Sequence, residues 1–136
     1  PEDLVVNMHI CRGNFRSTWF SSGGYEPVAK TLFGHCRVDG FFLEYDSDRA
    51  GDFTPLRYIK DQKVVLGLIT SKSGDLEDKG EVIARIKEAS QYVPLEQLCL
   101  SPQCGFSSTE EGNILTIEAQ WDKLKLIDEI VREVWG

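Results

Sequence analysis

The chain has 136 residues, of which 41% are hydrophobic and 27% charged, and its formal net charge is −7 at pH 7. This length and balance predict one globular domain, and the negative charge argues against a nucleic-acid partner because phosphate backbones bind basic surfaces. No apolar run approaches the ~20 residues that a membrane span needs, and no signal-peptide pattern opens the sequence. We therefore expect no membrane partner and a cytoplasmic location with reduced thiols.

Four apolar segments predict β-strands. They are short, mostly continuous and rich in branched or aromatic residues, which is typical of strands buried on both faces of a parallel sheet. The segments span residues 4–11, 40–45, 63–70 and 95–101.

Helical patterns alternate with these strands. Pro27 suits the first turn of the first helix, and the last helix carries apolar residues at helical spacing from Ile117 to Val134. The predicted helices span residues 26–35, 53–60, 79–92 and 117–135.

Four βα units in succession predict an α/β fold with a parallel sheet. They correspond to the last four units of a (β/α)8 TIM barrel, that is, a half-barrel, since a complete barrel needs about 200 to 250 residues. A flavodoxin-like open sheet, usually with five strands, is the rival architecture. The first residue is Pro1 and the only methionine is Met8, so we expect a piece of a longer chain.

Metal-competent side chains are predicted where three of the strands end. His9 and Cys11 take alternate positions at the end of the first strand and would share a face. Glu44 closes the second strand, in "FFLEYDS", and Cys104 follows the fourth, in "LCLSPQCGF". Because the carboxyl ends of parallel strands share one rim, where βα-barrel active sites lie, we expect the four groups to converge there.

Two thiolates, an imidazole and a carboxylate form a ligand set that matches zinc, with the carboxylate as the hardest and weakest ligand. A displaceable carboxylate indicates a site that opens to a substrate, and a thiol bound there would be held as a thiolate. Such a site favours alkyl transfer to sulfur. The competing interpretation is that His9 is a satisfied core histidine and Cys11 a small buried hydrophobe.

These motifs resemble the catalytic domain of cobalamin-independent methionine synthases. In that family the zinc ligands are the His and Cys of an H-x-C motif, a Glu, and the Cys of a P-[DQ]-C-G motif. The matching residues are His9, Cys11, Glu44 and Cys104. The resemblance covers nearly the whole chain but only the last half of the family's barrel. It implies that residues 1–136 are the C-terminal half of a zinc-binding catalytic barrel.

The sequence departs from the family at two places. The segment between Cys11 and Glu44 is longer than in the full-length synthases and is similar to smaller single-barrel, methionine-synthase-like proteins of bacteria. Lys72, in "ITSKSG", stands where the synthases carry a histidine proposed as proton donor. A lysine with a lowered pKa could protonate a leaving amine, but we expect Lys72 to be a solvated loop residue.

The resemblance implies an enzyme with Zn²⁺ as cofactor that transfers a methyl group to a small, homocysteine-like thiol, giving a thioether such as methionine. The methyl donor would be a methylated folate or another methyl compound. Two alternatives stay open: a non-catalytic, zinc-stabilised α/β module, and a thiol redox protein using Cys11 and Cys104. The open sheet of a half-barrel also predicts a missing barrel half or a self-association partner.

Arginines and glycines near the predicted site admit two interpretations each. Arg12 and Arg16 could grip a substrate carboxylate bidentately or pair with Asp46 and Asp48. The stretch "SSGGYE", residues 21–26, could hold an anion at the start of the first helix, but we expect a mobile lid or a turn.

Overall fold

The computed structural model describes residue 1 and residues 3–136. Within these residues the chain forms four β-strands and three α-helices, joined by loops that include short 3₁₀ turns. The strands are β1 (Asn7–Ile10), β2 (Gly40–Glu44), β3 (Lys63–Ile69) and β4 (Leu98–Pro102). The helices are α1 (Glu26–His35), α2 (Lys79–Ala89) and α3 (Ile117–Trp135).

The predicted order of elements is confirmed, with two changes of type. The strand predicted over residues 4–11 is shorter, Asn7–Ile10, and the start of the strand predicted over 95–101 forms a 3₁₀ helix, Leu95–Gln97, ahead of β4. Both α1 and α3 have the predicted bounds, whereas α2 ends three residues early, at Ala89. The α-helix predicted over residues 53–60 is wrong, because this segment forms a 3₁₀ helix over Thr54–Tyr58. A connection this short, with Pro55 in its first turn, suits the tighter 3₁₀ form.

Side chains at the helix starts explain where α2 and α3 begin. Asp78 accepts a hydrogen bond from the amide of Glu81 at 2.9 Å, and Thr116 accepts one from the amide of Ala119 at 3.1 Å. Each cap satisfies an amide that has no partner within its own helix. No helix in the described part of the chain has both the length and the apolar character needed to span a membrane.

The four strands pair in parallel, in the order β1-β2-β3-β4. Each strand therefore lies beside the next strand along the chain, as in the wall of a (β/α)8 barrel. In a flavodoxin-like sheet the spatial order of the strands reverses at a switch point, so that consecutive strands are not all neighbours. The mixed α/β class and the parallel sheet are confirmed, and the sequential order favours the barrel-type arrangement over the flavodoxin-like one.

The hydrophobic core lies between the helices and one face of the sheet. Side chains that alternate along the strands point into it: Phe41, Leu43, Val64, Leu66 and Leu98. The opposite face is open, since His9 is exposed and Phe42 keeps 36% of its surface accessible. The prediction that the strands are buried on both faces holds for the end of β3, where Leu66–Ile69 are all buried, and is wrong for β1, whose residues are exposed or half-buried.

Candidate metal centre

The structure brings the four predicted ligand residues together at the carboxyl end of the sheet. His9, Cys11, Glu44 and Cys104 each offer one nitrogen, sulfur or oxygen atom, and these atoms all lie within 4.8 Å of one another. We call these residues the donor cluster. The predicted convergence is confirmed as geometry, and the cluster is of a kind that could hold a metal ion.

The alternation of β1 places its two members of the cluster. Met8 and Ile10 pack against the core, so His9 and Cys11 point to the open face. Just beyond the strand the backbone turns, and the amide of Gly13 donates a hydrogen bond to the Cys11 sulfur at 3.2 Å. This hydrogen bond orients the sulfur that Cys11 contributes to the cluster.

Glu44 is the buried member of the cluster, with 1% of its surface accessible. Its Oε2 accepts a hydrogen bond from the Arg12 amide at 3.2 Å, whereas its Oε1 has no hydrogen-bond donor among the described residues and lies 3.6 Å from His9 Nε2. A buried carboxylate oxygen without a donor is costly unless a cation faces it. The two thiols and the imidazole around this oxygen are donors that borderline-soft metal ions accept, so the residues fit a metal.

Cys104 reaches the cluster from the far side of the sheet. β1 and β4 are separated by three inter-strand spacings, about 14 Å in a flat sheet. The chain after β4 closes this gap by passing over β3 at Gly67, where an added Cβ would lie 2.8 Å from the Cα of Gln103. A glycine is therefore required at position 67 for the close approach that carries Cys104 back toward Glu44.

Gln103 and Ser71 support this crossing. Gln103 is 1% exposed, its backbone N–H donates to the carbonyl of Ile69 at 2.7 Å, and its side-chain Oε1 accepts from Ser71 Oγ at 2.8 Å. Neither residue was predicted from the sequence as part of the site, and Gly67 was not either. Their roles depend on how a loop crosses a strand, for which the sequence carries no periodic signal.

Within the cluster the titrating groups favour a charged arrangement. Contacts with Cys104 and then Glu44 raise the pKa of His9 to about 10, and the contact with His9 lowers the pKa of Cys104 to about 7. Burial acts to raise the pKa of Glu44, but the approach of His9 and Gln103 and the amide of Arg12 outweigh it and lower that pKa. These shifts share one cause, the close approach of the imidazole to the thiol of Cys104 and the carboxylate, and a bound metal ion would compete with a proton for the same donor atoms.

Lys72 is buried beside the cluster, with 6% of its surface accessible. Its Nζ donates hydrogen bonds to the carbonyl of Gly13 at 3.0 Å and to Asn14 Oδ1 at 2.6 Å, and burial lowers its pKa. The expectation of a solvated loop lysine is therefore wrong, because the loop after β1 folds over the side chain.

Arg12 has a structural place that neither interpretation anticipated. The guanidinium is buried and donates to the carbonyls of Gly23 and Glu44 and to the hydroxyl of Tyr25, at 2.8 to 3.1 Å. It stacks over the Tyr25 ring at 4.3 Å. Arg12 thereby holds the glycine-rich loop before α1 in place, whereas Arg16 is exposed.

No protein-family model matches the chain. Among curated proteins, YxjH of Bacillus subtilis is 60% identical over 137 aligned residues, which include 99% of this chain and 36% of YxjH. The methionine synthase of Pyrococcus horikoshii is 24% identical over 102 residues, 75% of this chain and 27% of that protein. The chain spans about a third of the length of these relatives.

The fold is also found in solved structures. A structure from Listeria monocytogenes, provisionally named a vitamin-B12-independent methionine synthase, is 51% identical and superposes on the whole chain with a TM-score of 0.76, covering 36% of the Listeria protein. The class that the fold and the donor cluster define is thus a parallel α/β scaffold with a metal-competent rim. Within this class the chain resembles the cobalamin-independent methionine synthases, and the resemblance predicted from its motifs is confirmed.

Proposed function

We propose that residues 1–136 are the C-terminal half of a methionine-synthase-like catalytic barrel that transfers a methyl group to a small thiol. The observation that carries the proposal is the donor cluster: four side chains from three distant segments within 4.8 Å at one rim. The thiol would be homocysteine or a close analogue, the product a thioether such as methionine, and the methyl donor a methylated folate or another methyl compound.

His9, Cys11, Glu44 and Cys104 would hold the metal, and their chemistry suits Zn²⁺. Zinc, when bound, lowers the pKa of a thiol that coordinates it, so that the thiol reacts as a thiolate near neutral pH. Glu44 is the hardest donor and hence the most easily exchanged. The Arg12 amide at its Oε2 holds the carboxylate in the buried position from which it reaches the cluster.

A cavity beside the cluster offers room for the small substrate. Its volume is about 280 Å³, and it lies on the open face of the sheet, lined by His9, Phe42, Pro102 and Cys104 among others. The aromatic ring of Phe42 and the proline ring give it an apolar wall that suits the methylene groups of an aliphatic thiol. Such a wall would contact the methylene groups of the thiol and help to position its sulfur.

The barrel part of the proposal is supported by strand order and by the open face. In a (β/α)8 barrel the helices lie outside and the opposite face of the sheet lines the interior. Here the helices cover one face, and the open face carries the donor cluster. We propose that the missing barrel half, or a second copy of the chain, covers this face.

The test measures bound zinc in the purified protein and in two single-cysteine variants. Wild type should retain about one zinc per chain, and Cys104→Ser should lose it because one of four donors is gone. Cys36→Ser is the matched control, since Cys36 lies outside the cluster and is also half-buried. Normal zinc content in Cys104→Ser would contradict the assignment.

Catalysis is tested separately, by X-ray absorption at the zinc edge with and without homocysteine. A catalytic site should exchange a light oxygen neighbour for an additional sulfur when the thiol is added. A spectrum that does not change on addition of the thiol would favour a zinc-stabilised module without catalysis.

A further inference from the structure

The side-chain amide of Asn14 joins three loops at the rim of the sheet. Its Oδ1 accepts from Lys72 Nζ at 2.6 Å, and its Nδ2 donates to the carbonyl of Gly105 at 2.6 Å and to Ser108 Oγ at 2.8 Å. The orientation of the amide follows from its partners, because an ammonium can only donate and a carbonyl can only accept. Asn14 thus links the loops that follow β1, β3 and β4.

Two of these loops carry the thiols of the donor cluster. Asn14 lies three residues after Cys11, and Gly105 immediately follows Cys104. The hydrogen bond from Asn14 to Gly105 therefore spans the junction at which the two cysteine-bearing loops meet. Ser108, the other acceptor of the same amide, lies with its Oγ 3.9 Å from the Cys104 sulfur.

Lys72 holds the Asn14 side chain and the adjoining backbone in place. Its ammonium also donates to the carbonyl of Gly13 at 3.0 Å, so it grips two consecutive residues of the loop after β1. Because Lys72 is buried, the grip is shielded from competing water.

We infer that Asn14 is a positioning residue that fixes the separation of the Cys11 and Cys104 thiols, with Lys72 as its anchor. The inference rests on the proposed function where it concerns metal, because the consequence of correct thiol spacing is tight zinc binding. Hydrogen-bonded partners that orient metal ligands typically contribute 10-fold to 100-fold in affinity.

The first experiment measures zinc affinity by competition with a chromophoric chelator in wild type, Asn14→Ala and Asn14→Asp. Both variants should bind zinc about 10-fold to 100-fold more weakly. Asn14→Asp keeps an acceptor for Lys72 but turns a carboxylate oxygen toward the Gly105 carbonyl, so retention of the Lys72 contact alone should not rescue binding. Asn113→Ala is the matched control, because among the described residues the Asn113 side chain makes one hydrogen bond, accepted from the amide of the nearby Leu115 at 2.7 Å.

The second experiment needs no zinc. A trivalent arsenical bridges two thiols only when they lie close together, so its binding to metal-free protein reports the spacing of Cys11 and Cys104. Bridging should weaken in Asn14→Ala, remain as in wild type in Asn113→Ala, and be lost in Cys104→Ser. Urea unfolding of each metal-free variant checks that the protein is fully folded before urea is added.

The outcomes separate this inference from the proposed function. If wild type binds no zinc, the proposed function fails, and arsenical bridging alone decides the role of Asn14. If Asn14→Ala binds zinc and the arsenical as tightly as wild type, the inference is overturned. If Asn14→Ala does not fold, Ser108→Ala replaces it, because this variant removes one acceptor of the Asn14 amide. Arsenical bridging should then weaken, though less than in Cys104→Ser. Unchanged bridging in Ser108→Ala would overturn the inference.

Discussion

The guanidinium of Arg12 lies between the loop after β1 and the glycine-rich loop before α1, where it donates to two backbone carbonyls and a tyrosine hydroxyl. Arg12→Met keeps much of the side chain's length and removes every donor. The carbonyl of Glu44 would then lose this donor in a buried setting, whereas the carbonyl of Gly23 is on an exposed residue that water can reach, so the free energy of unfolding should fall by about 1 to 3 kcal/mol. Urea denaturation measures this loss directly.

Arg37→Met is the control for that substitution, because Arg37 is exposed. Its free energy of unfolding should stay within about 0.5 kcal/mol of wild type, as for most surface changes. Equal stability of the two variants would show that the Arg12 contacts contribute nothing to the fold.

The sequence could predict the four residues of the donor cluster, but it could not predict the residues that hold the surrounding loops in place. His9, Cys11, Glu44 and Cys104 are chemically conspicuous and stand at strand ends, so a parallel sheet brings them to one rim. Lys72 and Arg12 were misassigned because the sequence shows their charge and not their burial. Both are covered by loops whose paths depend on contacts with distant residues.

At the scale of elements, β3 meets the chain that crosses over it at Gly67. An added Cβ would lie 2.8 Å from the Cα of Gln103 and 2.9 Å from the carbonyl oxygen of Leu43, and neither backbone atom can move cheaply. Gly67→Ala should therefore destabilise the fold by about 1 to 3 kcal/mol, the usual cost of overpacking. It should also reduce zinc retention, because the crossing segment carries Cys104.

Gly34→Ala is the matched glycine substitution within α1. An added Cβ there meets nothing within 4 Å, and alanine is the better helix former, so stability should rise by about 0.5 to 1 kcal/mol. Thermal or urea unfolding of both variants tests the pair; a loss in Gly34→Ala as large as in Gly67→Ala would contradict the close-approach argument.

The longest helix is tied to the sheet by a buried ion pair. Lys123, on α3, is fully buried and donates to Glu77 at 3.0 Å and to the carbonyl of Asp75. Glu77 also accepts from the amide of Thr70 at 2.7 Å, just past the end of β3. Removing the lysine leaves a partly buried carboxylate unpaired, so Lys123→Met should lower the free energy of unfolding by about 3 kcal/mol.

Lys125→Met provides the comparison two residues away on the same helix. The Lys125 side chain is 69% exposed and pairs with Asp122 at the surface, and such pairs are worth about 0 to 1 kcal/mol. A double-mutant cycle between Lys123 and Glu77 should show a strong coupling free energy between the two side chains. A coupling free energy near zero would show that the ion pair does not stabilise the fold.

Most of the elements were predictable because the strands are continuous apolar runs and the α-helices follow apolar residues at helical spacing. α1 and α3 have the predicted bounds since Pro27 lies in the first turn of α1 and apolar residues at helical spacing run the length of α3. The 3₁₀ helix over Thr54–Tyr58 was missed because a single turn is too short for periodicity to distinguish 3₁₀ from α.

For the whole molecule, the notable surface is a run of exposed apolar residues that immediately precedes β1, the strand at the edge of the sheet. Leu4, Val5 and Val6 keep 62%, 68% and 45% of their surface accessible. Exposed strand edges with apolar flanks favour pairing with other chains. The isolated chain should therefore associate in a concentration-dependent manner in sedimentation velocity experiments.

Val5→Lys should weaken that association, because a charged side chain beside a strand edge opposes edge-to-edge pairing. Val28→Lys is the control, because Val28 is 50% exposed and lies on α1 instead of beside a strand edge in the sequence. A monomer at every concentration that unfolds cooperatively would contradict the proposal that the open face and edge need a partner.

Cys11 follows β1 and Cys104 follows β4, the two outermost strands of the sheet. The chain after β4 crosses over β3 at Gly67 and brings the two sulfur atoms together. Fraying at either margin therefore pulls the sulfur atoms apart, even while the helical layer stays packed. The lifetime of the assembled cluster is therefore set by the strand that unfolds locally most often. β1 is short and half-exposed, so we expect its opening rate to limit that lifetime.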